Sequence, residues 1–291
     1  MATSREIDAM HRAIAVSALG LGTTSPNPPV GCVILDAEGR EVGVGYHRRK
    51  GEPHAEAHAL TAAGTRAHGG TAVVTLEPCN HVGVTPACRK LLLDSGVVRV
   101  VIANMDPTSR GEGGAAVLKA AGVDVEVDVL TDEANVVLGP WLTATIRQRP
   151  WVTLADFDSA GLTDLRKKMA SNELRAQADI VIGRDGHIEE GIPNGHGKDV
   201  LRFPAAFETT HPTDSLKQLY HGGVRTVLVS GKELGESIIV ADAVDQAVMW
   251  IARDSIDDLE APSYLIPGLH IESVVVADSS VCIMSRRMRI S

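Results

Sequence analysis

The sequence predicts an α/β protein of two domains, and three observations carry that expectation. Through the first 148 residues, short β-branched apolar runs alternate with helical stretches, the pattern of a layered sandwich. With 291 residues, 44% of them hydrophobic, the chain can bury two cores of ordinary size. Arg149-Pro150 then interrupts the pattern and a second series of apolar runs begins, so the expected domains are 1–148 and 149–291.

The elements follow in order. Met1 to Leu21 reads as an amphipathic helix through Ile7, Met10, Ile14 and Leu19. Val30 to Leu35 and Glu41 to Tyr46 read as strands, and His54 to Ala63 as a helix opened after Pro53 and stopped by Gly64. Ala72 to Leu76 is a buried strand that delivers Cys79 through Pro78. Thr85 caps a helix with Pro86 at its first position, running to Ser95 and holding Cys88 in its first turn. Val98 to Ala103 is a strand, Ala115 to Ala121 a helix, Val123 to Val127 a strand, and Thr131 to Gln148 a helix leading out of the first domain.

Composition excludes several function classes. Aromatic residues make up only 3%, so the cores must be built from Val, Leu, Ile and Ala, which leaves no supply of base-stacking platforms. The formal charge of −9 argues in the same direction, against a polyanionic partner, so no nucleic acid is expected. No apolar run approaches membrane-spanning length, and Arg5, Glu6, Asp8, His11 and Arg12 break any export-signal pattern near Met1.

Pro53-His54-Ala55-Glu56, Thr75-Leu76-Glu77-Pro78-Cys79 and Cys88 together carry the chemistry. One imidazole and two thiolates occupy three positions of a tetrahedral Zn²⁺ and leave the fourth open, as a catalytic zinc requires. Glu56, two residues beyond His54, is a carboxylate outside the metal set and suits proton transfer in hydrolytic deamination. A helix N-terminus lowers the pKa of a thiol, which favours Cys88 as a thiolate. Cys32 and Cys282 sit inside apolar strands and read as core residues, so no disulfide framework is expected. Ligand thiols must stay reduced, which places the chain in the cytoplasm.

The segments Ser25-Pro26-Asn27-Pro28-Pro29-Val30-Gly31-Cys32, Gly43-Val44-Gly45-Tyr46-His47 and Pro53-His54-Ala55-Glu56 resemble the deaminase half of the bifunctional riboflavin-biosynthesis deaminase/reductase family. Thr75 to Cys88 resembles that family's form of the zinc loop, with eight residues, 80–87, between the cysteines. The similarity runs through Ala103-Asn104-Met105-Asp106-Pro107 and into Arg149-Pro150-Trp151-Val152-Thr153-Leu154. The resemblance implies a cytidine-deaminase-like α/β/α sandwich followed by a shortened dihydrofolate-reductase-like α/β domain. It further implies deamination of a diaminopyrimidinone carrying a ribosyl phosphate, with His54, Cys79 and Cys88 as zinc ligands, Glu56 as proton shuttle, and Asn27 and His47 as substrate contacts.

Two departures from the family bear on substrate. Val84 stands where the family usually has Lys or Arg, and the loop after Asp106-Pro107 reads Thr108-Ser109-Arg110-Gly111-Glu112-Gly113-Gly114, shortened and changed. Either Arg110 among its glycines restores phosphate recognition, or Arg110 is an exposed loop residue and the substrate is an unphosphorylated aminated heterocycle.

The second half departs further. Ala178 to Gly183 and Gly223 to Lys232 look like two strands of the family's reductase domain. Its Val-Glu-Gly-Gly signature becomes Val229-Ser230-Gly231-Lys232, its Thr-Leu-Lys becomes Thr153-Leu154-Ala155, and its Gly-x-x-Thr becomes Gly183-Arg184-Asp185-Gly186. Gly191 to His196 reads as a turn-rich loop. The expectation is a reductase fold without NADPH binding or reduction. Ala247 to Ala252 and Ile271 to Ala277 could supply a sheet surface for a homodimer or higher homo-oligomer. Two alternatives stand beside this reading: the complete bifunctional enzyme, and a non-catalytic oligomeric scaffold.

Overall fold

The computed structural model describes residues 1–80, 87–109, 111–156, 164–230, 232–252, 266–277 and 280–287; at 156, 164–170, 232–233, 251–252, 277 and 280 it describes the backbone alone. Val84, Arg110 and Gly231, each singled out in the sequence, lie outside the described residues, as does the Lys232 side chain. Two compact units divide between Leu142 and Thr143.

The first unit holds helices α1 (Ser4–Ser17), α2 (Ala55–Ala63), α3 (Cys88–Ser95) and α4 (Gly113–Ala120), with most of α5 (Thr131–Arg147). Its strands β1 (Gly31–Leu35), β2 (Glu41–Tyr46), β3 (Thr71–Leu76), β4 (Arg99–Asn104) and β5 (Asp124–Glu126) form one mixed sheet in the order β2-β1-β3-β4-β5. Strand alternation divides the residues between two cores. Cys32, Ile34, Val74, Val100 and Ile102 pack with Ala55, Ala59 and Leu92 beneath α2 and α3, while Val33, Leu35, Val73, Val101 and Ala103 pack with Ala9, Met10 and Ala13 of α1. The result is the α/β/α sandwich.

Several boundaries differ from the sequence reading. The first helix stops at Ser17 and continues as a 3₁₀ turn over Ala18–Gly20. Its start is set by a capping box, in which Thr3 accepts from the Glu6 amide and the Glu6 carboxylate accepts from the Thr3 amide. The third helix begins at Cys88 behind its N-cap Ala87, whose ψ of 138° is extended; Thr85 and Pro86, expected as cap and first position, lie outside the described residues. Helix α4 starts earlier than expected, at Gly113, where a left-handed φ of +82° admits a glycine at the turn.

Close approach of α2 to the sheet depends on Gly45. A Cβ there would stand 2.4 Å from the Ala55 carbonyl oxygen, so a side chain would push away the helix start that carries His54 and Glu56.

An acid-sensitive clamp ties α1 to the sheet. Glu6, 4% exposed, accepts from Arg99 Nε at 2.6 Å, and the same guanidinium also pairs with Asp124 and Glu126. Burial pushes the Glu6 carboxyl up, but the Arg99 hydrogen bond and the Thr3 amide outweigh it and hold the pKa below the ordinary 4.5. A depressed folded pKa means that this stability is complete above the unfolded value and is lost as pH falls through the folded one. Thermal unfolding midpoints should therefore drop as pH falls below about 4.5, the unfolded Glu pKa, and Glu6→Gln should flatten that dependence. Arg99→Ala, which strands a buried carboxylate, should cost about 3 kcal/mol by denaturant titration at neutral pH.

The second unit holds β6 (Trp151–Asp156), α6 (Asp164–Gln177), β7 (Ile180–Ile182), β8 (Ile188–Glu190), α7 (Pro212–His221), β9 (Thr226–Ser230), α8 (Lys232–Val240), β10 (Gln246–Ala252), β11 (Leu269–Ala277) and β12 (Ser280–Arg287). Its seven strands lie in the order β11-β12-β10-β6-β9-β7-β8, with β10, β6, β9 and β7 parallel. Val152, Leu154, Ile180, Ile182, Val227 and Val229 pack with Leu216 and Leu219 of α7 and Leu234 and Ile238 of α8, and the alternate residues Ala155, Val181, Leu228 and Val248 form a smaller core with Cys282. Cys32 and Cys282 are buried core residues, and the four cysteines are free thiols. Arg149-Pro150 is a pinned entry to β6: the fully buried Asp245 accepts from Arg149 at 2.6 and 2.9 Å, from Arg147 at 2.6 Å and from the Val152 amide at 2.9 Å.

Candidate active site

His54 is the N-cap of α2 rather than its first residue, with an extended backbone (φ −71°, ψ 168°) and a side chain that does not cap the helix. The imidazole is thereby free to meet the thiols. Cys79 follows the end of β3 through Glu77-Pro78, and Cys88 opens α3. Cys88 Sγ lies 3.3 Å from His54 Nδ1, and the Cys88 amide donates to Cys79 Sγ at 3.3 Å. One ligand atom from each of the three residues falls within 4.8 Å of the others.

The electrostatics show what such a cluster needs. A hydrogen bond from Cys88, aided by His54, pulls the Cys79 thiol pKa well down. The same hydrogen bond, with burial and the nearby Glu56 carboxylate, pushes Cys88 far up. The opposite shifts are those of two thiols sharing one proton, and a divalent cation bound between them would favour ionisation of both. Two sulfurs and one imidazole nitrogen form a soft donor set that fits zinc.

Glu56, in the first turn of α2, is 3% exposed. Burial raises its carboxyl pKa, opposed by His54 and reinforced by Cys79. A carboxyl so placed holds a proton more readily than an exposed one, which suits a group that must both accept and donate.

Asn27 and His47 are brought together beside the cluster. Asn27 Nδ2 lies 3.1 Å from His47 Nε2, and His47 Nδ1 lies 3.2 Å from the Pro53 carbonyl oxygen, so the ring donates through Nδ1 and accepts through Nε2. Burial lowers the His47 pKa to about 4 against the help of the Pro53 hydrogen bond, which keeps the ring neutral. Its centroid stands 5.2 Å from that of His54 in an edge-on arrangement. Trp141 Nε1 donates to the Pro26 carbonyl oxygen at 2.9 Å and so holds the turn that carries Asn27.

The sequence reading quoted Glu77 within a motif and gave it no role. Its buried carboxylate accepts from the Ala115 amide at 3.0 Å, Ser109 Oγ at 2.7 Å and the Asp106 amide at 3.3 Å. It therefore anchors both ends of the turn after β4 against the segment leading to Cys79. A Cβ at Gly114 would stand 1.8 Å from the Pro78 carbonyl oxygen, so this packing requires glycine there. The available signal was a lone acid between an apolar strand and Pro-Cys, facing a glycine-rich loop.

In the second unit, Ala155 pairs directly with Ser230 across β6 and β9, so two departures from the reductase motifs meet at the C-terminal ends of parallel strands, and the segment 183–186 that holds the third follows β7. That end is where open α/β sheets bind ligands.

A sandwich with this cluster at the ends of its strands defines the class of zinc deaminase domains. Residues 3–104 match the family model described as the cytidine and deoxycytidylate deaminase zinc-binding region. Over 127 residues the chain is 50% identical to a diaminohydroxyphosphoribosylamino-pyrimidine deaminase of Buchnera aphidicola, covering 43% of this chain and 86% of that one. It is 42% identical over 185 residues to the riboflavin biosynthesis protein RibD of Aquifex aeolicus, 61% of this chain and 52% of the relative. The chain thus spans about half the length of the first curated relatives it matches. The fold is similar across 98% of the chain to a deaminase/reductase of Thermotoga maritima, at a TM-score of 0.77 and 24% identity, covering 99% of that chain. This chain belongs to the riboflavin-biosynthesis deaminase family, RibD, with a deaminase domain followed by a reductase-like one.

Proposed function

We propose that the chain is a zinc-dependent hydrolytic deaminase that removes the exocyclic amine of an aminopyrimidine, and that its substrate is the phosphoribosylaminopyrimidine named for the Buchnera relative. The observation that carries this reading is the buried Glu56 beside a contact cluster of His54, Cys79 and Cys88. Those three residues would hold zinc, which when bound supplies Lewis-acid activation of the attacking water. Glu56 would carry both protons of the attacking water in turn: the first to the ring nitrogen as the C–O bond forms, the second from the resulting hydroxyl to the exocyclic amine as the C–N bond breaks and ammonia leaves. The carboxamide of Asn27 and the neutral His47 orient the ring. Ammonia release from the diaminopyrimidinone, with cytidine as control, tests the reading. A zinc-loaded chain that releases none would return it to the scaffold alternative.

We take residues 1–148 as the deaminase domain and 149–291 as a domain that keeps the reductase fold without its chemistry. Ala155 removes a Lys, and Ser230 a Glu, from the family's motifs at the strand ends where a dinucleotide would lie. NADPH should show no measurable heat on calorimetric titration and no oxidation with any deaminated product. Micromolar binding with turnover would restore the bifunctional reading.

Edge strand β11 exposes Val274, Val275 and Val276 at 53%, 55% and 66%, and these valines support pairing with a second copy, because an apolar edge needs a cover. Among the described residues no helix is long and apolar enough to cross a membrane. The need for reduced thiols supports a cytoplasmic setting.

A further inference from the structure

Arg89 and Asn80 each directly follow a thiol of the cluster, Cys88 and Cys79. The Arg89 amide lies 3.4 Å from the Cys79 carbonyl oxygen, and its Nε donates to Asn80 Oδ1. Gly111 completes the setting, since a Cβ there would lie 3.7 Å from Asn80 Nδ2. Arg89 therefore stands where the two thiol segments and the turn anchored by Glu77 meet.

Its electrostatic situation differs from that of three other partly buried arginines. Arg99, Arg147 and Arg149 each hold at least one carboxylate. Arg89 is half-buried, is held by a neutral amide, and has no ion pair among the described residues. The stretch between the cysteines, 80–87, contains no acidic residue that could neutralise it. A guanidinium has five donors in a rigid fork, and with Nε committed to Asn80 the outer Nη edge has no acceptor among the described residues. In a chain of formal charge −9, that edge is a local attraction for an anion otherwise repelled.

We propose that Arg89 is the specificity-determining residue for a phosphate monoester on the sugar of the substrate, the Nη edge taking phosphate oxygens while Nε stays on Asn80. The assignment rests on the deaminase reading above and names the group that the site selects. A planar fork matches two phosphate oxygens at once, which an ammonium cannot do.

The test uses zinc-loaded wild type, Arg89→Gln and Arg89→Lys. Gln can still donate to Asn80 and carries no charge, so it separates bracing from anion binding. Calorimetric titration with ribose 5-phosphate and with ribose reads binding. Ammonia release from the diaminopyrimidinone ribosylamine, with and without its phosphate, reads selectivity. Wild type should bind the phosphate and ignore ribose, Arg89→Gln should weaken that binding about ten-fold or more, and Arg89→Lys should keep part of it. KM for the phosphorylated substrate should rise by a similar factor in Arg89→Gln, with kcat, zinc content and turnover of the unphosphorylated substrate unchanged. Equal losses on both substrates, zinc loss in Arg89→Gln, or phosphate binding within two-fold of wild type would overturn the proposal and leave Arg89 as a brace. If the binding difference appears while no variant releases ammonia, the deaminase reading falls and the phosphate role stands. If ammonia is released from both substrates and Arg89→Gln alters neither binding nor turnover, the reverse holds.

Discussion

Glu56→Gln is expected to retain zinc and fold while losing about 10²- to 10⁴-fold in deamination rate, the contribution typical of a general acid-base group. Gln keeps the shape of a side chain that is 3% exposed, so the core beneath α2 is not disturbed. What it loses is the capacity to take a proton and give it back. The carboxyl of Glu56 is within hydrogen-bond reach of Cys88, and burial raises its pKa, so among the described residues it is the group whose position and proton affinity suit the transfer. Steady-state ammonia release, with metal analysis and thermal unfolding as controls, makes the comparison. Activity within a few-fold of wild type, with zinc intact, would move proton transfer to another residue.

The first domain was legible because its local signals agree with its tertiary ones. Val73, Val74, Val100, Val101 and Ile102 lie in short β-branched runs that can be buried on both faces only as central strands, and they are β3 and β4. His54 and Cys88 announce themselves through the chemistry of their residue types. The same signals do not place the described start of α3, which opens at Cys88 behind an extended Ala87. Capping signals are local, and the hydrogen bond from the Cys88 amide to Cys79 Sγ is not.

The second domain was less legible for a physical reason. Strands β7 and β8 have three residues each, too short to show a period, and β12 reads apolar on both faces through Val281, Cys282, Ile283 and Met284. Its two cores depend on parallel pairings of β6 with β9 and β10, strands about 75 and 95 residues apart in sequence, which no local pattern reveals. Glu77 and Arg89 escaped notice for the same reason, since each acts through partners on a separate loop or helix.

The other large effect is expected from the thiols. Cys79→Ala with Cys88→Ala should take zinc from about one ion per chain to none, because a lone imidazole cannot hold the ion against buffer ligands. Activity should fall by on the order of 10³-fold or more, since several kcal/mol of charge stabilisation is lost at about 1.4 kcal/mol per decade. The fold should survive in outline: α2 and α3 are seated by Ala55, Ala59, Ala63 and Leu92 against Cys32, Ile34 and Val74, a core that the double substitution leaves in place. Far-ultraviolet circular dichroism should therefore change little while elemental analysis changes completely. The thiols also lie in an arrangement in which Cys79 is driven toward ionisation and Cys88 away from it, so removing both leaves no single thiol behind to carry a charge. Single Cys88→Ala is the more damaging of the single changes by this argument, because it leaves the Cys79 thiolate without the hydrogen bond that lowers its pKa most. Zinc content unchanged in the double variant, or wild type metal-free after purification without chelator, would remove His54, Cys79 and Cys88 from the metal site and with them the basis for the hydrolytic reading.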